Sequence, residues 1–162
     1  MNSTDEVTLE LQKLPWYQEL SPGDLQKIAE ISSLRQFKAG EVFFHEGDRQ
    51  DYTYTVVTGR VALDMFVPHH GKVRFYTCEE GENFGWSGVT SILTRTAGAV
   101  GVMDGTVIAT DTVKLQDLCD RDHDIGYYFM REMSNVIASR LMVTRLQLLD
   151  MFGEPPETKV DD

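Results

Sequence analysis

The residues best suited to chemistry are concentrated in the stretch 81–97, whose composition suits an anion-binding loop. Phe84 and Gly85 end an extended segment, and the glycine permits a tight backbone turn. Ser87 can cap a short helical turn whose free N–H groups attract phosphate. Arg95 adds a planar, permanently charged guanidinium at the far side of the loop. The sequence therefore predicts an anion site in which Arg95 carries the main charge.

This stretch resembles the phosphate-binding cassette of cyclic nucleotide-binding domains. The pattern of that family runs Phe-Gly-Glu-x-Ala-Leu, and an Arg-x-Ala follows nine residues after the Glu. Four positions match the pattern, namely Phe84, Gly85, Arg95 and Ala97. Gly88 replaces the small Ala of the pattern, and Val89 replaces its aliphatic Leu. One position departs from it, because Trp86 replaces the Glu that holds the ribose 2′-hydroxyl in the family.

The resemblance implies that the ligand is cyclic AMP, cyclic GMP or a related anion. We expect no other cofactor and no metal. Thr96 stands where members that bind cyclic GMP often carry Thr, and Thr144 matches a Thr that touches the base. The implied ligand-binding residues are Phe84, Gly85, Trp86, Ser87, Gly88, Val89, Arg95, Thr96, Ala97 and Thr144.

The composition limits the possible partners of the chain. Its 162 residues suit one domain, and a hydrophobic fraction of 41% supports a sizeable core. A net charge of −11 argues against a general affinity for nucleic acids or anionic membranes. Cys78 and Cys119 are not spaced as the cysteines of a metal-binding or redox motif are. The N-terminus lacks the pattern of a signal peptide. We therefore expect a cytoplasmic protein with two reduced cysteines and no membrane span.

The hydrophobic pattern predicts a mainly β protein with flanking helices. Residues 1–13 are a polar N-terminal arm that we expect to be frayed up to residue 10, and residues 14–152 form the domain. Ser21 and Pro22 predict a helix start. Gly40, Gly47, Gly59 and Gly71 then punctuate short strands, as in a jelly-roll-like barrel. Asp104-Gly105 predicts a hairpin, which brings the expected number of strands to about eight.

A long helix is predicted from about residue 125 to 152, with Asp122 or Asp124 at its start. A helix of 28 residues is about 42 Å long, which is more than a small barrel covers. The chain is therefore expected to form a homodimer through residues 125–152. Residues 153–162 are rich in Pro and acidic residues, which predicts a disordered tail.

Other readings of the sequence remain open. Bacterial regulators of the catabolite activator type share this layout and carry a helix-turn-helix domain after the long helix, which this chain lacks, so we expect no DNA binding. A cupin-like metal site is a further alternative, with His45-Glu46 and His69-His70 as its candidates. A degenerate domain that binds no nucleotide and serves as a dimerisation or protein-interaction module is another. No catalytic motif is present, so we expect no enzymatic activity.

Overall fold

The computed structural model describes residues 3–49, 51–86, 90 and 94–153. Within these residues the chain forms four α-helices, a short 3-10 turn and six β-strands. The helices are α1 (Ser3–Lys13), α2 (Pro22–Glu30), α3 (Thr112–Arg121) and α4 (His123–Phe152), and the 3-10 turn is Pro15–Tyr17. The strands are β1 (Ser32–Phe37), β2 (Val42–Phe44), β3 (Tyr52–Val67), β4 (Gly71–Cys78), β5 (Asn83–Phe84) and β6 (Gly98–Asp111).

The strands form one antiparallel sheet that is organised around its two longest members. β3 and β6 pair along most of their length, from Tyr52 opposite Asp111 to Asp64 opposite Gly98. The strand order is β1-β6-β3-β4, with β2 joined to β6 and β5 joined to β3. One apolar cluster fills the inside of this sheet, and a second lies between the sheet and the helices. The predicted fold class, mainly β with flanking helices and a long C-terminal helix, is confirmed.

The predicted hairpin at Asp104-Gly105 is wrong, because both residues lie inside the continuous strand β6. Gly59 of β3 faces this position, and the register of the two strands shifts here in an irregular stretch. A Cβ on Gly105 would lie only 2.0 Å from the carbonyl oxygen of Thr58. The Asp-Gly pair therefore allows two long strands to approach at a β-bulge instead of ending one of them. Gly59, which was predicted to separate two strands, also lies inside a continuous strand, so six strands instead of about eight are found in the described part of the chain.

We expect Gly105→Ala to destabilise the fold by at least about 2 kcal/mol, because the added methyl group would collide with backbone that cannot move away freely. Gly98→Ala is the matched control in the same strand, since the nearest atom to its added Cβ is 3.5 Å away. Urea denaturation of both variants measures the difference. Equal stabilities would show that the close approach of β3 and β6 at this point is not structurally important.

The N-terminal arm is ordered as a helix, which corrects the expectation of a frayed segment. Val7 and Leu11 of α1 are fully buried in the cluster beneath the helices, and the polar positions of α1 face outward. The predicted start of α2 is confirmed, because the Ser21 side chain accepts a hydrogen bond from the Asp24 amide and Pro22 occupies the first turn. The polar composition of residues 3–10 concealed two apolar positions one helical turn apart.

The long helix α4 begins after Asp122, whose carboxylate caps the amide of Ile125. Its first third is clamped to the N-terminal segment. The Tyr128 hydroxyl donates to the Trp16 carbonyl at 2.7 Å. The Phe129 ring packs edge-on against the Trp16 ring, with the two ring centroids 4.7 Å apart. Met133 is the last buried residue, and none of residues 134–152 is buried. The fully buried part of the helix therefore ends after its first third.

Among the helices of the described residues, none has the length and apolar character needed to cross a lipid bilayer.

Candidate functional site

Arg95 is fixed in the fold by its own backbone. Its amide donates to the carbonyl of Asp48 at 2.9 Å, and its carbonyl accepts from the amide of Gly47 at 2.8 Å. The adjacent residue Thr94 forms an isolated antiparallel bridge with Arg49. The turn that follows β2 thus holds the residue at the position where the cassette rejoins the sheet.

The guanidinium of Arg95 is buried and has no carboxylate partner among the described residues. Arg95 is 4% exposed, and its side chain donates to the carbonyls of Gly85, at 2.5 Å, and Tyr52. The central guanidinium carbon lies 4.1 Å from the ring centroid of Phe44. Its Nε atom is buried and finds no partner in the described structure. Burial lowers the pKa of Arg95 from its ordinary value, which is the direction expected when a cation loses water.

Gly85 is required at its position by this arginine. Its backbone has a φ of +69°, a conformation that side chains disfavour. An added Cβ would lie 2.8 Å from the Nη1 atom of Arg95 and 3.3 Å from the rings of Phe44 and Tyr54. The Phe-Gly pair of the sequence pattern is thus explained by the need to leave room for the guanidinium.

A cavity of about 280 Å³ lies against this arginine. Strands of the sheet supply one wall, the cassette supplies another, and α4 closes part of the third. The lining residues are Phe44, Leu63, Met65 and Phe75 from the strands, Gly85, Trp86, Arg95, Thr96 and Ala97 from the cassette, and Arg140 from α4. The cavity therefore brings together five of the ten residues that the sequence implicated, together with wall residues on β2, β3 and β4.

The other implicated residues lie elsewhere. Phe84 is fully buried beneath the cavity, where its ring stacks on Tyr54 with centroids 4.9 Å apart. Thr144 is exposed on α4, and its hydroxyl donates to the carbonyl of Arg140 at 2.9 Å. It does not line the cavity. Ser87, Gly88 and Val89 lie outside the described residues.

Arg140 is the site residue that sequence reasoning missed. Its guanidinium lies 4.7 Å from the ring centroid of Tyr76, donates to the carbonyl of Asn83, and approaches the Cys78 sulfur at 3.5 Å. Its Nε is buried and finds no partner among the described residues. Arg140 stands four residues before Thr144, on the same face of the helix. That spacing is the signal that could have pointed to it.

Polar groups next to the cavity are already engaged. Glu82 accepts hydrogen bonds from the Tyr76 hydroxyl at 2.5 Å and from the Glu79 amide at 2.8 Å. Burial and the Glu82 carboxylate together raise the pKa of Tyr76 to about 12. The side-chain oxygen of Asn83 accepts from the Thr55 hydroxyl at 2.5 Å. Neither side chain is among the described lining residues of the cavity, so neither stands in for the missing Glu at position 86 in this structure.

The metal alternative finds no support in the geometry. In the part of the chain that the structure describes, no three His, Cys, Asp or Glu side chains converge as metal ligands. His45 instead lies near Asp48, with its Nδ1 3.5 Å from the carboxylate, on an exposed turn.

The comparison with known families identifies this fold. A family model described as the cyclic nucleotide-binding domain matches residues 34–122, which is more than half of the chain. The chain belongs to the cyclic nucleotide-binding domain family. The matched range of this cyclic nucleotide-binding domain runs from β1 through α3 and includes every cavity residue except Arg140.

Individual relatives agree with the family assignment. The chain is 24% identical over 144 residues to a candidate potassium channel protein of Rhodopseudomonas palustris. The aligned region covers 88% of this chain but only 33% of that protein. A solved cyclic nucleotide-binding domain of Methylobacillus flagellatus superposes with a TM-score of 0.78 at 15% identity, covering 94% of this chain and 86% of the other. The catabolite activator protein of Thermus thermophilus gives 0.68 at 23% identity, with coverages of 85% and 62%. These structural likenesses show a common fold.

Proposed function

We propose that this domain is a regulatory sensor that binds a small anionic ligand, with cyclic AMP and cyclic GMP as the first candidates. The observation that carries the proposal is the buried guanidinium of Arg95, which lines the cavity and forms no ion pair with a carboxylate among the described residues. A buried cation is costly unless a counter-charge or several hydrogen bonds compensate it. An anionic ligand would supply that counter-charge.

The signal is proposed to pass through α4. Arg140 brings this helix to the wall of the cavity, so a ligand there contacts the sheet and the helix together. Because the first third of α4 is clamped by Tyr128 and Phe129, a change at Arg140 would alter the direction of the exposed part. A ligand shifts such an equilibrium only if it binds one helix position better than the other.

A thermal-shift screen against cyclic AMP, cyclic GMP and related anions tests the proposal. A ligand at a hundred times its Kd adds about 2.7 kcal/mol of stability, which for a chain of this size corresponds to about 5–10 °C in Tm. If no anion changes the Tm of correctly folded protein, the sensor proposal is wrong.

Trp86→Glu is expected to strengthen the binding of cyclic nucleotides by about ten- to a hundredfold, because it restores an acceptor for the ribose 2′-hydroxyl. Trp86 lines the cavity and packs against the cluster beneath the helices, and its indole N–H can donate but not accept. We therefore expect the native domain to bind cyclic nucleotides only weakly, or to bind a ligand without a ribose. Titration calorimetry with cyclic AMP and its 2′-deoxy analogue measures the effect. If the native domain already distinguishes these two ligands as strongly as the variant does, another group holds the hydroxyl.

A second function is favoured by one observation. The Arg95 guanidinium already donates to the Gly85 and Tyr52 carbonyls, as it would in a domain that has lost its ligand and keeps the arginine for structural reasons. Such a domain would serve as a dimerisation or protein-interaction module through α4. It would remain dimeric in the absence of any anion-dependent change in Tm.

Domains of this family bind regulatory ligands and are generally not enzymes, and we propose that this chain acts through binding as well. Its 26 acidic and 15 basic residues also lead us to propose that it does not bind DNA. A gel shift with a defined duplex that persists at high salt would contradict this.

A further inference from the structure

We propose that the cavity selects a ligand with two negative charges, such as a phosphate monoester or a dicarboxylate, over the singly charged cyclic phosphodiester. The inference rests on the proposed function, because it specifies the class of anion that the same cavity holds.

The charge of the cavity lining is the first reason. Arg95 and Arg140 are its two ionisable residues, and no Asp or Glu is found among its described lining residues. The six residues between Trp86 and Thr94 that the structure does not describe have no ionisable side chains in the sequence. The lining therefore has two positive charges and no negative one.

Among the described residues, the direct partners of the two guanidinium groups carry no charge. Arg95 donates to two backbone carbonyls and stacks on Phe44. Arg140 donates to the backbone carbonyl of Asn83 and stacks on Tyr76. Each keeps a buried Nε without a partner in the described structure. Carbonyls and aromatic rings stabilise a cation, but they do not neutralise it.

The nearest carboxylates lie outside the cavity. Asp48 and Asp51 lie on the other side of Arg95, in a pocket of about 380 Å³ that Arg95 also lines, together with Arg35 and Arg49. Glu82 and Glu132 line a third pocket, which Arg140 also borders, and Glu82 is held there by Tyr76 and the Glu79 amide. These acids moderate the field at the two arginines without occupying the space in which a ligand would be held.

Trp86 replaces a residue that would otherwise reduce the positive charge of the cavity lining. The family pattern has a Glu at this position, and a carboxylate there would leave a net charge of one on the lining. With Trp86 the net charge of the lining is two, so a monoanion would neutralise only one of its two guanidinium groups, that of the buried Arg95 or that of the half-buried Arg140. A volume of about 280 Å³ is near the lower end of the range for ligand pockets and suits a compact dianion.

Matched pairs of ligands that differ in charge test the inference on the native chain. The first pair is adenosine 5′-monophosphate, which is a dianion at about pH 8 because its second pKa is about 6, and cyclic AMP, which is a monoanion. The second pair is succinate and its monomethyl ester. We expect the dianion of at least one pair to bind about tenfold or more tightly than its monoanion by titration calorimetry. The two pairs distinguish a phosphate site from a dicarboxylate site.

Two variants connect the preference to the residues. Arg140→Gln is expected to remove most of the preference for the dianion, whereas Arg131→Gln is expected to leave it unchanged. Arg131 is the matched control, because it lies on the same helix and stacks on Tyr128 in the same way, but it pairs with Glu19 away from the cavity. Trp86→Glu is expected to shift the preference toward the cyclic monoanion.

The outcomes separate this inference from the function on which it rests. If cyclic AMP binds as tightly as the monophosphate and Arg95→Ala abolishes that binding, the dianion inference is overturned and the sensor function stands. A dianion preference that survives Arg140→Gln in a folded variant also overturns it, because the second charge must then come from elsewhere. If no anion of either kind binds to the folded native chain, the sensor function fails and the inference fails with it.

Discussion

Arg95→Ala is expected to abolish every anion-dependent increase in Tm. The guanidinium supplies charged hydrogen bonds worth about 1.5–3 kcal/mol each, and it is held against the cavity by the Gly85 and Tyr52 carbonyls and the Phe44 ring. The same change removes the bonds to Gly85 and Tyr52, so the ligand-free variant should also be less stable than the native chain. Arg95→Lys keeps the charge but loses the planar fork, and we expect an intermediate affinity.

Arg35→Ala is the control for this prediction. Arg35 also stacks on a phenylalanine, with its guanidinium carbon 4.8 Å from the Phe43 centroid, and it pairs with Glu41 outside the cavity. It should lose stability without losing the response to the ligand. Titration calorimetry that shows the same affinity in Arg95→Ala and the native chain would refute the role of Arg95.

Leu141→Glu is expected to convert a homodimer into a monomer. Beyond Met133, α4 has apolar side chains that its own domain does not cover, and Leu141 is 47% exposed. A helical stripe with spacings of four and three residues runs through Ile137, Leu141, Thr144, Leu148 and Met151. This is the spacing with which two helices pack in a coiled coil, and a charge at its centre would be buried without a partner.

Size-exclusion chromatography with light scattering measures this change. Val113→Glu is the matched control, because Val113 is an exposed apolar residue, at 65%, on α3 and outside the α4 stripe. We expect that variant to remain dimeric. A native chain that is monomeric at high micromolar concentration would rule out the dimer. The stripe also places Thr144 in the proposed interface, so a role for Thr144 in ligand binding would require the second subunit.

The placement of Gly85 beside Arg95 could be predicted from sequence because it depends on a local pattern. Phe84, Gly85 and Arg95 keep a fixed spacing, and the structure shows that Gly85 is needed to make room for the arginine. The starts of α2 and α4 were predictable for the same reason, because Ser21 and Asp122 cap amides within three residues of themselves.

Features that depend on distant partners were not predictable. Asp104-Gly105 has the composition of a turn, but the pairing of β6 with β3 overrides this local preference. Arg140 reaches the cavity only because the packing of α4 on the N-terminal segment, more than a hundred residues away in sequence, sets the direction of the helix. The local sequence gives only one hint of these contacts, which is the four-residue spacing between Arg140 and Thr144.

The two tryptophans of the chain provide a natural pair of optical probes. Trp86 lines the cavity, and Trp16 lies against Phe129 at the base of α4, so the first would report occupancy and the second would report motion of the helix. Two single-tryptophan variants, Trp16→Phe and Trp86→Phe, would separate the two fluorescence signals. Stopped-flow traces would then show the order of events. A helix signal that lags the cavity signal indicates induced fit, and a helix signal whose rate falls with ligand concentration indicates selection of a conformation that already exists.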